Sequence, residues 1–219
     1  MTMNVSQRIP YRYMVVEGNI GAGKTSLANI LSIVHNTELV LESFAENTFL
    51  PQFYAQPERF AFPLEMSFLA ERYQQIHQAQ AHMEQTGGKL IGDYIFEKSR
   101  LFADVTLSGA ELELFSRFFH MIEGGLRKPD LIIYLHKSTP SLLKNIAKRG
   151  REYEQQIKPD YLDRLSERYL DYLQGLNSQR ILLIDSDELD FVERPEHLRL
   201  VLDLVMRPLE PGLTRVNPV

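Results

Sequence analysis

The sequence predicts an α/β fold in which a five-stranded parallel sheet carries helices on both faces. Five short apolar runs, spread along the chain, are each followed by helical periodicity or by turn residues. Strands that alternate with helices in this way are typical of a parallel sheet covered on both sides. The chain has 219 residues, of which 44% are hydrophobic, and we expect one domain over residues 1–219.

The five predicted strands are spread over the whole chain, and the first two predicted helical segments lie between the first three strands. The five strands are predicted at residues 13–16, 39–41, 90–91, 131–135 and 181–184. The first helix is predicted at residues 24–34. Two prolines, Pro51 and Pro57, allow at most a short helix within residues 44–57.

Three further helices follow from apolar periodicity and from capping residues. A long helix is predicted from residue 64 to about residue 85, because apolar residues recur at helical spacing before a Gly-Gly pair. Ser138 is predicted to cap a helix that runs to Arg149, and Asp160 to cap a helix that extends toward Gly175.

Another helix is predicted from residue 109 or 110 to residue 123. Its apolar residues cover more of its circumference than packing on one domain requires. A subunit interface of a homodimer explains the excess, and a fully buried core helix explains it equally well.

Composition excludes several classes of partner. The net charge of −5 offers no basic footprint, so we expect neither a nucleic acid polymer nor an anionic membrane as a partner. The chain has no cysteine, which excludes disulfides and thiolate metal sites. Because no apolar stretch resembles a signal peptide or a membrane span, we expect a cytoplasmic protein.

Residues 18–25 read GNIGAGKT, an uninterrupted match to the phosphate-binding pattern GxxxxGK[ST]. The match lies between a predicted strand and a predicted helix, where backbone N–H groups and the helix dipole point at one small volume. A lysine in this loop reaches the outer phosphates of a nucleotide, and a hydroxyl ligates Mg²⁺. The predicted nucleotide-binding residues are Gly18, Asn19, Ile20, Gly21, Ala22, Gly23, Lys24, Thr25 and Ser26.

Charged residues follow the predicted strands at the edge of the sheet where α/β proteins bind ligands. Glu42 follows the second strand and Asp93 the third, while Arg149 and Arg151 lie in a polar stretch between two helices. A phosphoryl-transfer enzyme needs such carboxylates and mobile arginines. Each residue also has an ordinary structural explanation, as a loop residue, a helix cap or a helix C-terminus.

Six segments in one order resemble the deoxynucleoside kinase family, most closely its bacterial members. They are EGNIGAGKT at 17–25, LESFAENTFLPQFY at 41–54, FPLEMSFLAERYQQ at 62–75, GDYIFEKSRLFA at 92–103, RGREYEQQIKPDYLDRL at 149–165 and DSDELDF at 185–191. The resemblance implies a P-loop kinase fold and a reaction that uses ATP and Mg²⁺ to phosphorylate the 5′-hydroxyl of a deoxynucleoside.

The resemblance also implies residue roles. Glu42 corresponds to the general base at the 5′-hydroxyl, and Tyr54 and Glu154 correspond to residues that hold the 3′-hydroxyl. The lid is expected at about residues 149–158, with Arg149 and Arg151 closing over the transferring phosphoryl group. The remaining assignments are Lys24 for the donor phosphates, Thr25 and Asp93 for the metal, and Asp187 and Phe191 for the adenine of ATP.

The chain departs from the family pattern after the third strand. Many members have an arginine directly after the carboxylate, whereas this chain reads Asp93-Tyr94-Ile95. Lys98 or Arg100 is a candidate for the missing positive charge, although either is equally explained as a solvated helix cation.

A second departure concerns the base. Many members place glutamine where this chain has Glu65. Arg72, two turns further along the same helix, also corresponds to a residue of the base pocket and can donate to O6 or N7 of a purine. An ionised carboxylate only accepts hydrogen bonds, and guanine offers two adjacent donors, whereas adenine pairs a donor with an acceptor. We therefore predict a purine deoxynucleoside, deoxyguanosine ahead of deoxyadenosine. The alternative is that Glu65 only pairs with Arg72 or Lys98.

Two other functions share the phosphate-binding loop. A nucleoside monophosphate kinase would need additional cations for the acceptor phosphate, and Tyr54 and Glu154 are poor partners for such a dianion. A nucleotide-binding switch would bind ATP or GTP without an acceptor substrate.

Overall fold

The computed structural model describes residues 10–43 and 47–219. The first nine residues and the start of the predicted 44–57 segment lie outside them. Within the described residues the strands are β1 (Tyr13–Gly18), β2 (Glu38–Val40), β3 (Leu90–Gly92), β4 (Leu131–His136), β5 (Arg180–Asp185) and β6 (Gly212–Val216).

The sheet is parallel throughout, in the order β2-β3-β1-β4-β5-β6. The predicted fold class is confirmed, but the number of strands is wrong, because the described part of the chain forms six. The additional strand β6 lies at the sheet edge, where Leu213 pairs with Ile181. Its short GLTRV segment has no fully buried residue, and its two large apolar residues, Leu213 and Val216, are separated by two polar ones, so it lacks the apolar run that marks the other strands.

Eight α-helices flank the sheet within the described residues, and those that were predicted end close to the predicted positions. They are α1 (Lys24–His35), α2 (Phe49–Ala55), α3 (Pro57–Thr86), α4 (Lys98–Thr106), α5 (Gly109–Glu123), α6 (Thr139–Arg149), α7 (Pro159–Gln174) and α8 (Pro195–Val205). A short 3₁₀ helix, Glu152–Gln156, connects α6 to α7. Helix α8, like β6, is absent from the predicted elements.

Two helix starts differ from the prediction, and proline explains both. Helix α3 begins at Pro57 rather than at residue 64, because proline is well suited to a first helical position, where no N–H donor is needed. Helix α7 begins at Pro159 with Lys158 as its N-cap, so the predicted cap, Asp160, is wrong. Asp160 instead lies in the first turn, where its charge favours the helix dipole.

Apolar residues fill both sides of the sheet. Side chains of one strand alternate between the two faces, so that Met14 and Val16 pack with α1 and α6 residues such as Leu31 and Leu142. Tyr13 and Val15 face the opposite layer. A third apolar cluster joins α2, α3 and α5 at one end of that layer. Helices therefore cover both faces, as predicted.

Helix α5 is not a fully buried core helix. Phe115 and Phe119 are completely buried, but Phe118 is 42% exposed and Met121 is 77% exposed. No helix within residues 10–43 and 47–219 combines the length and the apolar character that a membrane span requires.

Candidate functional site

The GNIGAGKT loop forms a tight turn between β1 and α1. Gly21 and Gly23 adopt φ angles of +84° and +98°, in the left-handed region that favours glycine. A Cβ on Gly21 would also lie 2.8 Å from the carbonyl oxygen of Leu142. The loop is therefore closed against α6, and it has the backbone arrangement at a helix N-terminus that suits a phosphate.

Side chains of the loop are held by the neighbouring helix α7. Asn19 Nδ2 donates to the carbonyl oxygen of Leu162 and to Ser166 Oγ, at 2.8 Å each. Lys24 Nζ donates to the backbone oxygen of Asn19 at 2.9 Å. Burial, with help from the nearby Lys98, lowers the pKa of Lys24 to about 8. A bound phosphate would raise this pKa again, because a nearby negative charge favours the ammonium form.

Glu17, immediately before the loop, is fully buried and was not among the predicted site residues. Its carboxylate accepts hydrogen bonds from the N–H of Gly18 at 2.8 Å, from the N–H of Ile95 at 3.2 Å and from the hydroxyl of Tyr169 at 3.2 Å. Glu17 thus ties the phosphate loop to the segment that leads into α4 and to α7. The sequence does contain a signal for Glu17, because it is a charged residue inside an otherwise apolar strand.

Asp93 joins the ends of three elements of the fold. One of its carboxylate oxygens accepts from Thr25 Oγ1 at 2.6 Å, and the other accepts from the backbone N–H of Glu42 at 2.8 Å. The predicted metal ligands are therefore adjacent, and the predicted base lies directly beside them.

Glu42 is held between two cations. Arg72 Nε and Nη2 lie 2.8 and 2.7 Å from its Oε1 atom, and Lys98 Nζ lies 2.6 Å from its Oε2 atom. Burial alone would raise the pKa of this carboxyl, but Lys98 and Arg72 more than offset that effect and hold the pKa well below its ordinary value. Glu42 is ionised, and in this arrangement it is a weak base.

Lys98 and Arg100, the two candidates for the missing positive charge after Asp93, make different contacts. Tyr94, at the position of the missing arginine, is buried and its hydroxyl donates to Gln75 Oε1 at 2.7 Å. Lys98, from the first position of α4, brings its charge back to Glu42. Arg100 points elsewhere, with its guanidinium 5.9 Å from the ring centroid of Phe119.

Glu65 lies deep in the same region, with only 1% of its surface exposed. Its Oε1 atom is 2.9 Å from Thr106 Oγ1, whereas its Oε2 atom has no hydrogen-bond partner among the described residues. Burial raises its pKa to about 7. Since Arg72 and Lys98 are both paired with Glu42, the described contacts do not support the alternative that Glu65 serves only as their ion-pair partner.

The predicted lid arginines, Arg149 and Arg151, both lie just before the 3₁₀ helix and both contact Glu154. Arg149 Nη2 donates to one oxygen of this buried carboxylate, and Arg151 Nη1 donates to the other at 3.0 Å. Tyr54 stacks on Tyr153, the neighbour of Glu154, with ring centroids 6.0 Å apart. The predicted sugar-binding residues are thus brought together with the lid.

One cavity of about 90 Å³ connects these groups. Predicted site residues on its wall are Ile20, Gly21, Lys24, Thr25, Glu42, Tyr54, Glu65, Arg72, Asp93, Arg149, Arg151 and Glu154. A larger cavity, of about 380 Å³, lies near Tyr13 and Pro129 at the opposite, amino end of the strands and touches none of them.

The two residues predicted for the adenine of ATP do not line this cavity. Asp187 accepts from the N–H of Ser138 at 2.9 Å, which places it at the N-terminus of α6. Phe191 is buried, and its ring would lie 3.2 Å from a Cβ on Gly23. Phe191 therefore packs against the phosphate loop at Gly23.

Comparison with known proteins identifies the family. The chain matches the sequence model of the family described as deoxynucleoside kinase over residues 14–209. The chain belongs to the deoxynucleoside kinase family. A deoxyguanosine kinase from Bacillus subtilis (strain 168) is 38% identical to this kinase over 184 residues, which are 82% of this chain and 89% of that protein. A deoxyadenosine kinase from Lactobacillus acidophilus is 34% identical over 190 residues, 82% of this chain and 87% of that protein.

Solved structures agree on the fold of the kinase. The structure of deoxyadenosine kinase from M. mycoides with bound dATP superposes with a TM-score of 0.76 at 23% identity, covering 89% of this chain and 98% of that one. The same enzyme with the products dCMP and dCDP superposes with a TM-score of 0.77 at 24% identity, over 88% of this chain and 98% of that one.

The oxygen atoms of Thr25 and Asp93 fit a magnesium ion of the kind that kinases use. Mg²⁺ prefers oxygen ligands and is usually held by one or two protein groups together with waters and substrate phosphates. A hydroxyl and a carboxylate 2.6 Å apart beside a phosphate loop provide these groups. Within the described residues no cluster of three or more His, Cys, Asp or Glu residues could hold a metal without a substrate.

Several residues of the kinase site were missed by sequence reasoning. Tyr161 and Phe102 line the cavity, and Ser99 accepts from Arg72 Nη1 at 3.0 Å. Thr106 contacts Glu65 from the last turn of α4. All four lie on helices at positions that a periodic apolar pattern cannot distinguish from ordinary core.

Proposed function

We propose that this kinase transfers the γ-phosphoryl group of ATP to the 5′-hydroxyl of a purine deoxynucleoside, with deoxyguanosine preferred over deoxyadenosine. Such a reaction belongs to nucleotide salvage. The observation that carries the proposal is the single cavity whose wall contains the phosphate loop, Glu42 and Glu65. A donor phosphate, a base for a hydroxyl and a polar group for a nucleobase therefore face one volume.

The deoxynucleoside would lie along this cavity with its sugar between Glu42 and the lid. Tyr54 and Glu154 are the groups available to a 3′-hydroxyl, one as a donor and the other as an acceptor. The base would extend toward Glu65, the buried carboxyl with an unpartnered oxygen. Neither sugar group is a cation, which favours a neutral nucleoside over a nucleoside monophosphate as the acceptor.

Glu42 is the only one of these carboxyl groups that lies beside both the phosphate loop and the proposed 5′-hydroxyl. As the base, it would take the hydroxyl proton while the oxygen attacks the γ-phosphorus. In the present arrangement its pKa is low, because Lys98 and Arg72 lower it by more than burial raises it. If the triphosphate draws Lys98 away, the proton affinity of Glu42 rises when the acceptor is in place.

Lys24, Lys98, Arg149 and Arg151 supply the positive charge for the transferring group. Mg²⁺, held by Thr25 and Asp93, would neutralise part of the charge on the donor phosphates. In the absence of substrates both lid arginines pair with Glu154. The phosphates would compete with Glu154 for the arginines, and the 3′-hydroxyl would compete with the arginines for Glu154. The segment at 149–158 would thus close only when both substrates are bound.

Base preference is the part of the proposal that one assay tests directly. The values of kcat/KM for the four deoxynucleosides, measured with ATP in a coupled assay of ADP release, are expected to rank deoxyguanosine first and deoxyadenosine second. Because a buried polar mismatch costs about tenfold or more, pyrimidines should fall at least that far behind. The deoxyguanosine and deoxyadenosine kinases among the relatives support a purine substrate.

Two results would contradict the proposal. A clear preference for pyrimidines would remove Glu65 as the selecting residue. ADP release that does not depend on any deoxynucleoside would instead favour an ATPase or a nucleotide-binding switch.

We also propose that the kinase is a homodimer joined through α5. Phe118 and Met121 are three residues apart, lie on one helix face and are both exposed. We expect the double substitution F118E/M121E to lower the mass in sedimentation equilibrium to that of one chain. The control is I33E on α1, because Ile33 is 79% exposed but lies on another surface. A mass of two chains in the double variant would contradict this interface.

A further inference from the structure

Glu17 is a buried carboxylate that the proposed reaction does not use. It lies near the end of β1, is completely buried and does not line the cavity of the site. Its hydrogen-bonding neighbours are donors: the N–H of Gly18 and the hydroxyl of Tyr169 approach its Oε2 atom, and the N–H of Ile95 approaches its Oε1 atom. Since an ionised carboxylate only accepts hydrogen bonds, Glu17 matches all three neighbours.

The contact with Ile95 fixes the turn that leads to Lys98. The N–H of Ile95 donates to Glu17 at 3.2 Å, and its carbonyl oxygen accepts from the N–H of Lys98, the first residue of α4, also at 3.2 Å. At the start of the turn, the N–H of Asp93 donates to the carbonyl oxygen of Val40 at 3.1 Å. The turn is therefore attached to β2 at its start and to β1, beside the phosphate loop, before α4 begins.

The charge of Glu17 acts on the same lysine. Burial raises the pKa of Glu17, whereas Lys98 and Lys24 lower it, so both ammonium groups lie near enough to interact with the carboxylate. Lys98 and Lys24 both line the cavity, and Lys98 lowers the pKa of Lys24. A carboxylate close to two like charges offsets their repulsion and favours the arrangement in which both face the cavity.

We propose that Glu17 is a positioning residue for phosphoryl transfer, which holds Lys98 at the donor phosphates by fixing the N–H of Ile95 beside the phosphate loop. This inference rests on the proposed function, in which Lys98 supplies positive charge for the transferring group. Glu17 takes no part in the chemistry itself, because it does not reach the cavity. Without the contact to Ile95, the first turn of α4 can shift relative to the phosphate loop, and Lys98 shifts with it.

Glutamine at position 17 tests the contact with Ile95 selectively. An amide has one acceptor oxygen, and the orientation that keeps two contacts directs this oxygen to Gly18 and Tyr169 and the NH₂ group to the N–H of Ile95. We expect E17Q to lower kcat about tenfold, the scale of one lost hydrogen bond, and to keep KM for ATP within about threefold of wild type. Amide hydrogen exchange should become faster at Ile95 and stay unchanged at Gly18.

Y169F is the matched control for E17Q. It removes one donor of Glu17 but leaves the contacts with Gly18 and Ile95 in place. Its kcat, measured with saturating ATP and deoxyguanosine, is expected to stay within about threefold of wild type. Thermal unfolding of both variants shows whether each one is folded at the temperature of the assay.

A double-mutant cycle with K98A separates positioning from a general loss of structure. If Glu17 acts through Lys98, kcat of E17Q/K98A should equal that of K98A within about threefold, because the group to be positioned is already absent. If E17Q does not fold, E17D takes its place in the cycle, since it keeps the charge but is one methylene shorter and withdraws from Ile95.

Two results would overturn the inference. One is a kcat of E17Q within threefold of wild type, and the other is a double variant in which the two losses multiply. Wild-type turnover in K98A would remove Lys98 from the reaction and this role of Glu17 with it. If the wild-type enzyme phosphorylates no deoxynucleoside at all, the proposed function has failed instead.

Discussion

Substitution of Glu42 by glutamine is expected to lower kcat by about 10²–10⁴-fold, the usual contribution of a positioned general base. Glutamine keeps the size of the side chain and one acceptor oxygen but cannot take the proton of a 5′-hydroxyl. The measurement is the steady-state rate with saturating ATP and deoxyguanosine. Wild-type turnover in E42Q would show that Glu42 is not the base.

The design of this experiment must separate catalysis from stability. Glu42 neutralises Arg72 and Lys98, which are both buried, so E42Q leaves their charges without a counter-ion. Thermal unfolding and ATP binding of E42Q should therefore be measured alongside kcat. The matched control is E84Q, because Glu84 also pairs with two cations, Arg12 and Arg127, but lies outside the cavity. Its kcat is expected to equal that of wild type.

Lys98→Ala is expected to lower kcat by about 10²-fold, the effect of removing one group that stabilises transition-state charge. Lys98 contacts Glu42 in the substrate-free arrangement and is close enough to Lys24 to lower its pKa. It is therefore near the place where the donor phosphates would lie. Its loss should also raise the pKa of Glu42, since Lys98 is the strongest of the cations that lower it.

Arg100→Ala is the matched control for this experiment. Arg100 is two residues away on the same helix but contacts the ring of Phe119 rather than the cavity. We expect R100A to keep kcat within about threefold of wild type, which is under about 1 kcal/mol. K98R should recover part of the lost rate. If K98A also stays within threefold, the missing family arginine has no replacement in α4.

Sequence alone located the groups whose geometry is local. The phosphate loop is eight consecutive residues between a strand and a helix, and its glycines permit the positive φ angles that the turn requires. Glu42 and Asp93 could be placed at one sheet edge, because parallel strands present their carboxyl ends together. Apolar runs were sufficient for the five strands that contain them, but not for the half-buried edge strand β6.

Other features depend on how separate helices pack, which no local pattern encodes. The choice between Lys98 and Arg100 was open in the sequence, since both lie in the first turn of a helix whose rotation about its axis is set by its neighbours. That rotation directs Lys98 to Glu42 and Arg100 to Phe119. The pairing of Arg72 with Glu42, which are 30 residues apart, likewise depends on how α3 packs against the sheet.

The sequence by itself determined the chemistry of this kinase, a phosphate loop with carboxylates and arginines in the order of one family. Tertiary structure decided which charges neutralise each other and which buried carboxyl oxygen has no hydrogen-bond partner among the described residues. The physical reason is that the proton affinity of a buried group depends on the distance to every neighbouring charge and on the loss of water. For Glu42 and Glu65, two glutamates of the same cavity, these distances produce opposite shifts in pKa.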